Sequence, residues 1–368
     1  MPAPRNFAQP AARRAWTREL LGLDLRDETK WDALTRELFA WQFAHVPAYR
    51  RLCAAHGITP QRFPSWRDLP AVPQQLFKRE KLFSHKSLRP SVTYETSGTT
   101  TGEPGRQYLL DTSVYRILSV EGAQRAGFFQ GAPRLHFLVP SPADAPHSSL
   151  SAMFGFWQKA AKQPASFWMH QNRFELSAFR RTLLEQIKTH RPIAICGTAF
   201  SFVHLLDAWA ELPPLRLPRG SRALETGGFK GRSREISKPE LYAQLGRLFS
   251  LPDRDIWNEY GMSELSSQAY ARGTRGLHEV PPWARVLVCD PATGREVCLG
   301  QRGLVRWIDL ANIDSVLALQ TLDLAERTPR GFRLIGRLSR TEPRGCSLGI
   351  EDMITAETRE SAPPLQIA

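Results

Sequence analysis

The sequence predicts an α/β protein. Strand-like apolar runs and helix-like amphipathic runs alternate through its middle, and beyond Gly276 the helical patterns give way to short strands. Such alternation builds a sheet with helices on its faces, and the strand-rich remainder predicts a small β-rich subdomain. With 368 residues, 42% of them hydrophobic and 23% charged, the chain can bury a core without metal or disulfide staples, and a disordered, collagenous or coiled-coil protein is excluded.

The elements follow in order. Across residues 27–46, Trp31, Leu34, Leu38, Trp41 and Phe43 fall at roughly helical spacing, so an amphipathic helix with these aromatics in the core is expected. Pro60, Pro64, Pro70 and Pro73 punctuate a loop-rich approach to a strand at 91–94. That strand enters the segment 95–106 and another, 107–110, leaves it; Thr112 or Ser113 can cap the helix that follows, to about 129. Next come a buried strand at 134–139, helices at 151–161 and 176–190, a strand at 193–196 and a helix at 200–211. A strand at 223–226, a helix at 239–249 opened by Ser237, and a strand at 255–260 complete the alternation. Short strands are expected at 285–289, 303–309 and 332–335, and the last residues, with Pro363 and Pro364, are expected to fray. The expected organisation is an α/β core over 1–275, a β-rich subdomain of that core over 276–335, and a short C-terminal segment over 336–368.

The net charge of +13 has two readings, compositional bias or an anionic ligand. The basic residues are spread along the chain and no nucleic-acid-binding signature occurs, so no nucleic-acid partner is expected. No membrane span is expected either. The longest apolar stretch, 193–206, is interrupted by Gly197, Thr198, Ser201 and His204 and is shorter than the roughly 18–20 residues a span needs. The five cysteines, Cys53, Cys196, Cys289, Cys298 and Cys346, never form C-x-x-C, and the N-terminus has no apolar signal core. A cytoplasmic location with free thiols is expected, an organelle transit peptide being the weaker alternative.

Two motifs carry chemistry. The segment from Thr96 to Arg106 holds five hydroxyl side chains and three glycines between two predicted strands. Hydroxyls and unhindered backbone N–H groups suit a triphosphate, while the missing G-K-[ST] ending excludes a Walker loop. The second motif, Trp257-Asn258-Glu259-Tyr260-Gly261-Met262-Ser263-Glu264-Leu265, ends a predicted strand, where ligands bind in open α/β sheets. Tyr260 could stack on a purine and Glu264 could hold a hydrated Mg²⁺; alone, the motif reads equally as a capped turn.

Together, TSGTTTGEP and NEYGMSE resemble the phosphate loop and the aromatic-Gly-x-Thr/Ser-Glu motif of the adenylate-forming superfamily. Three further matches follow the superfamily's order: Glu225-Thr226-Gly227-Gly228 resembles the adenine-pocket segment, Gln320-Thr321-Leu322-Asp323-Leu324 the ribose-binding aspartate segment, and Ile335-Gly336-Arg337 the hinge arginine strand. Within the superfamily the chain is most similar to LuxE-type acyl-protein synthetases, relatives of phenylacetate-CoA ligase, through VPSPADAPHSSLSAM, LETGGFKGRSREISKPEL, WNEYGMSEL and EPRGCSLGIEDM.

The resemblance implies the N-terminal-domain architecture of adenylate-forming enzymes, mixed sheets with flanking helices plus a small β-rich subdomain, with the large C-terminal lid truncated. It implies ATP and Mg²⁺, a fatty or other apolar carboxylic acid activated as acyl-AMP, and transfer to a cysteine and then to a reductase subunit. ATP would be bound by Thr96, Ser97, Gly98, Thr99, Thr100, Thr101, Gly102 and Arg106, with Gly227, Gly228, Glu259, Tyr260, Gly261, Ser263, Asp323 and Arg337, and the metal by Glu264. Cys346, between Gly345 and Ser347 with Arg344 and Arg340 close by, matches the acylated cysteine. Positive neighbours would favour its thiolate, and a small buried Cys is the alternative. His147 would border the carboxylate site or belong to a plain loop. No lysine follows Lys238, so the lid lysine of full-length relatives has no counterpart, and Arg337 or Arg344 would supply the charge. A CoA ligase, or a non-catalytic scaffold binding nucleotide or a reductase, are the alternative functions.

Overall fold

The computed structural model describes residues 5–85, 87–96, 103–170, 173–227 and 236–338. The chain opens with α1 (Pro10–Leu21), α2 (Glu28–His45) and α3 (Pro47–Ala55), followed by β1 (Val72–Pro73) and the hairpin β2 (Val92–Glu95) and β3 (Arg106–Leu109). Next come α4 (Ser113–Arg125), β4 (Arg134–Pro140), α5 (Ser149–Ala160), β5 (Ala165–His170), β6 (Arg173–Phe174), α6 (Leu176–Ile187), β7 (Ile193–Thr198) and α7 (Ala199–Ala208). They lead to β8 (Arg222–Thr226), α8 (Lys238–Phe249), β9 (Ile256–Tyr260) and β10 (Ala269–Arg272). The last strands are β11 (Ala284–Cys289), β12 (Arg302–Asp309), β13 (Ala318–Thr328) and β14 (Gly331–Arg337).

Helix starts follow local chemistry. Asp27, Ser148, Thr198 and Ser237 each accept a backbone N–H with their side-chain oxygen at the starts of α2, α5, α7 and α8, and α1 and α3 begin at prolines. In α2, Trp31, Leu34, Leu38 and Phe39 are buried, but Trp41 and Phe43 are only partly so. Gln42 takes the buried position between them because its amide satisfies the backbone of a distant loop, donating to Asn312 O and accepting from Leu317 N. The N-terminal segment 10–21, where the sequence reading placed no element, forms α1 and contributes Trp16 and Leu20 to the core.

Seven strands form one sheet in the order β10-β9-β8-β7-β4-β5-β6; its five central strands run parallel and both edge strands antiparallel. The faces are covered on one side by α4 and α5 and on the other by α6, α7 and α8. From β4 the chain first adds β5 on one side and then returns to add β7 on the other, so strand order reverses between β4 and β7. A crevice opens at the carboxyl ends of strands at such a reversal, and the loop carrying His147 leaves β4 there.

The second sheet orders β1-β13-β12-β11, with β14 also pairing β13. Its strands β11 to β14 were expected in part, β13 only as a motif; β1 joins it from residues 72–73, and the N-terminal helices pack against it. Among the described residues, no helix is long and apolar enough to cross a membrane.

One buried ion pair ties these parts together. Arg13 on α1 meets Asp314, from the loop between β12 and β13, at 2.6 and 2.8 Å; His85 lies 2.7 Å from the same carboxylate and Leu110 N donates to it. These bonds outweigh the desolvation of Asp314 and hold its carboxyl below the ordinary value. Asp314→Ala leaves the Arg13 guanidinium buried without that partner and is expected to cost about 3–5 kcal/mol, measured from the shift in urea midpoint at constant slope.

Candidate active site

The hairpin β2–β3 carries the hydroxyl-rich loop and closes it at the neck. Thr96 N donates to Gly105 O at 2.9 Å, and Gly105 N donates to Thr96 Oγ1 at 2.9 Å. One pair outward, Glu95 opposes Arg106, whose guanidinium donates to Glu95 and Glu103, both at 3.1 Å. These two carboxylates raise the Arg106 pKa, and in this arrangement they occupy the cation expected to contact phosphate. Ser97, Gly98, Thr99, Thr100, Thr101 and Gly102 lie outside the described residues, as do Gly228 and Cys346.

Three separate segments converge on that neck. Glu95 N donates to His147 O at 2.9 Å, and His147 Nδ1 lies 2.9 Å from Thr93 O. Ser263 Oγ donates to Glu95 O at 3.2 Å and lies 3.2 Å from Ser149 Oγ at the start of α5. Thr96, His147 and Ser263, distant in sequence, thus meet beside the strand-order reversal. Ser149 was not singled out in the sequence; the signal available was its place beside the Ser148 cap, where a helix begins.

The ends of β8 and β9 form the next wall. Glu225 and Asn258 share one face and Thr226 and Glu259 the other, because side chains alternate along paired parallel strands. Burial pushes both carboxyls up to about 7. Glu225 accepts from Tyr242 Oη at 3.0 Å and Asn258 Nδ2 at 2.7 Å, Glu259 accepts from the Thr226 hydroxyl, and His278 bonds Asn258 Oδ1. Desolvation lowers the His278 pKa to about 3, keeping a neutral ring stacked on Phe332. Gly227, at φ +70°, ends β8 in a left-handed turn, and no atom of the described residues lies within 4 Å of where a Cβ would stand. At Gly261 a Cβ would come 2.3 Å from Glu259 Oε1, so any larger residue there would have to displace that carboxylate.

Tyr260 donates to Asp323 Oδ2 at 2.6 Å, and Arg337, opposite Asp323 on β14, comes 3.7 Å from Oδ1. The Tyr260 ring is 8% exposed and bordered by His278, Trp307 and Phe332, which leaves little of its face for a stacked purine. Asp323 retains lone pairs for hydroxyl donors beyond these partners. Glu264 is buried, its carbonyl accepting from Asn312 Nδ2 at 2.9 Å, and Asp309 anchors the next residues by accepting from Ser266 N and Ser267 Oγ. A carboxylate oxygen is the donor type that suits Mg²⁺ when nucleotide phosphates and water complete its shell.

The described cysteines divide clearly. Cys53, Cys196 and Cys289 are buried, and desolvation raises all three thiols, Cys53 to about 12; Cys298 is exposed. A buried neutral thiol is a poor nucleophile.

No protein-family model matches the chain. It is 22% identical over 345 residues to the long-chain-fatty-acid–luciferin-component ligase of Aliivibrio fischeri, spanning 89% of this chain and 90% of that protein. With the ligase of the same name from Vibrio harveyi it shares 20% identity over 342 residues, 88% of each. Among solved structures, 2-hydroxyisobutyryl-CoA ligase in an open conformation with 2-HIB-AMP and CoA superposes with a TM-score of 0.61 at 16% identity, covering 89% of this chain and 79% of that one. The same ligase in its thioesterification state gives 0.61 at 18%, covering 93% and 72%. The fold is that of the adenylate-forming ligases. The likeness to the two long-chain-fatty-acid ligases extends over nearly the whole chain, and in an adenylate-forming fold the convergence of the loop neck, the Tyr260 turn and Asp323 is the candidate active site.

Glu225 provides a pH test of this wall. A carboxyl held near 7 against an ordinary 4.5 contributes stability below the ordinary value and loses it as pH rises through 7. Glu225→Gln keeps an oxygen for Tyr242 and Asn258, so at pH 8 it is expected to be more stable than the parent by on the order of 3 kcal/mol. The difference should vanish near pH 4, as read from denaturant midpoints at both pH values; a pH-independent difference contradicts the assignment.

Proposed function

We propose that the protein uses ATP to activate a fatty or other apolar carboxylic acid and passes the acyl group through a thioester on Cys346 to a reductase partner. The observation that carries this reading is the meeting of the hydroxyl-rich loop's neck, the His147 loop and the Tyr260–Glu264 turn at the strand-order reversal, joined to the Tyr260–Asp323–Arg337 chain. The two similar ligases support the substrate class through their names.

In this reading the loop's hydroxyls and N–H groups cradle the phosphates, Asp323 accepts from the ribose hydroxyls, and Glu264 holds Mg²⁺, which supplies charge neutralisation on the phosphates. A carboxylate oxygen of the acid attacks the α-phosphorus, forming the acyl–phosphate bond as pyrophosphate leaves. The chain's contribution is alignment of acid and phosphate. The Cys346 thiolate then attacks the acyl carbon, forming the thioester as AMP leaves. Three of the four described cysteines are buried and held protonated, which is consistent with an acceptor elsewhere in the chain. Arg337, exposed at the site's edge, is the proposed cation in place of a lid lysine. The proposed organisation keeps 1–335 as the catalytic core and 336–368 as the segment that presents the acyl group.

Incubation with ATP, Mg²⁺ and a panel of fatty and aryl acids, followed by intact mass before and after neutral hydroxylamine, tests this. The expected result is one hydroxylamine-labile acyl adduct that is abolished in Cys346→Ala, while pyrophosphate exchange persists. AMP release that requires added CoA, with no adduct, would identify a CoA ligase instead. Absence of pyrophosphate exchange with every acid would identify a non-catalytic scaffold.

A further inference from the structure

We propose that Asn312 is a positioning residue for the phosphate-handling half of the site, setting the separation between the strand that leaves the hydroxyl-rich loop and the turn that carries Glu264. The inference rests on the adenylation reading above. Asn312 is fully buried in the loop between β12 and β13. Its Nδ2 donates to Glu264 O and to Val316 O, both at 2.9 Å, and its Oδ1 accepts from Gln107 Nε2 at 2.8 Å. Both donors and the acceptor of one planar amide are thereby used.

Gln107 lies on β3, next to the Glu95–Arg106 pair at the loop's neck. Its own Oε1 has no partner among the described residues, so Asn312 is what orients it. The connection from β3 to the Glu264 backbone therefore consists of two hydrogen bonds through a single side chain. A second tie, Ser263 Oγ to Glu95 O at 3.2 Å, joins the same turn to β2, the hairpin partner of β3, and leaves Asn312 to set the spacing to β3 from the buried side.

The pattern demands an amide. Aspartate at 312 would set an oxygen against the Glu264 carbonyl, and leucine would leave that carbonyl and Gln107 Nε2 unpaired. Gln42 is the natural control: it holds the same loop through Asn312 O and Leu317 N and bonds neither site segment.

The full-length variants Asn312→Asp, Asn312→Leu, Gln107→Leu and Gln42→Met are compared by calorimetric binding of a non-hydrolysable ATP analogue with Mg²⁺. They are also compared by the KM for MgATP in pyrophosphate exchange, thiol acylation from a synthetic acyl-adenylate, and melting temperature. Both Asn312 variants should weaken analogue binding and raise that KM by about tenfold or more, with acylation from the preformed adenylate within about twofold of the parent. Gln42→Met should lower the melting temperature without moving analogue affinity. Combining Gln107→Leu with Asn312→Leu should be no worse for binding than Asn312→Leu alone.

Unchanged analogue affinity in a folded Asn312 variant overturns the proposal, as does an equal loss in Gln42→Met. If neither Asn312 variant folds, Gln107→Leu breaks the same tie from the strand side, and unchanged affinity there overturns it. A parent whose analogue affinity depends on Asn312 but that exchanges pyrophosphate with no acid retains the positioning role and loses the adenylation reading; a parent that does neither overturns both.

Discussion

The loop between β12 and β13 is buried along its whole length, and a buried loop must find partners for its backbone groups. Here the partners come from everywhere else in the chain. Trp16 Nε1 donates to Leu310 O, Gln42 to Asn312 O, Ser84 to Ile313 O through its hydroxyl and to Asp314 O through its N–H, and Leu310 N donates to Trp283 O. Satisfying residues 310–317 therefore fixes the N-terminal helices, the approach to β2 and the second sheet in one arrangement. Asp309 and Asn312 extend the same network to the Glu264 turn, so the geometry of the candidate site is a consequence of how this loop is paid for in hydrogen bonds.

Elements with strong periodicity or a clear cap were legible in the sequence, with ends within a few residues: α2 after Asp27, α8 after Ser237, and the parallel strands β4, β7, β8 and β9. What escaped reading is what depends on distant partners. The β5 segment, residues 165–170, follows Pro164 but lacks a regular alternation of apolar and polar residues, and it becomes a strand by pairing with β4. Gln42, Asn312 and Asp314 look like surface residues in one dimension, and only the fold brings each to a buried backbone group or an ion pair. The motifs of the site were legible because glycines and hydroxyls cluster locally, whereas the ties between them, Ser149 to Ser263 and Gln107 to Asn312, are tertiary contacts that no local pattern announces.

The arginine excess gains a partial physical account. Arg222, nearly buried at the start of β8, donates to the carbonyls of Gly127, Phe128, Gln130 and Gly220, a task suited to a planar group with several donors. Arg13 serves the loop network, and Arg285 reaches Leu25 O while lying over the Trp31 ring. These guanidinium groups act as structural crosslinks, so the net charge of the chain overstates the charge available to an anionic ligand.

The same logic separates the ion-paired carboxylate from the two at the candidate site. Asp314 is matched with a guanidinium, which holds its carboxyl ionised despite its burial. Glu225 and Glu259, at the ends of adjacent central strands, receive hydrogen bonds from hydroxyls and an amide, and Lys238, which acts on Glu225 among the described residues, does not offset its desolvation. Burying a carboxyl in this way sacrifices stability at neutral pH, and a guanidinium partner would have avoided the loss. Retaining two such groups beside Gly227 and Gly261 places two carboxyls raised by burial at the candidate site. Neutral partners also leave these carboxyls poised to change protonation when a charged ligand arrives, a response that the ion-paired Asp314 could not provide.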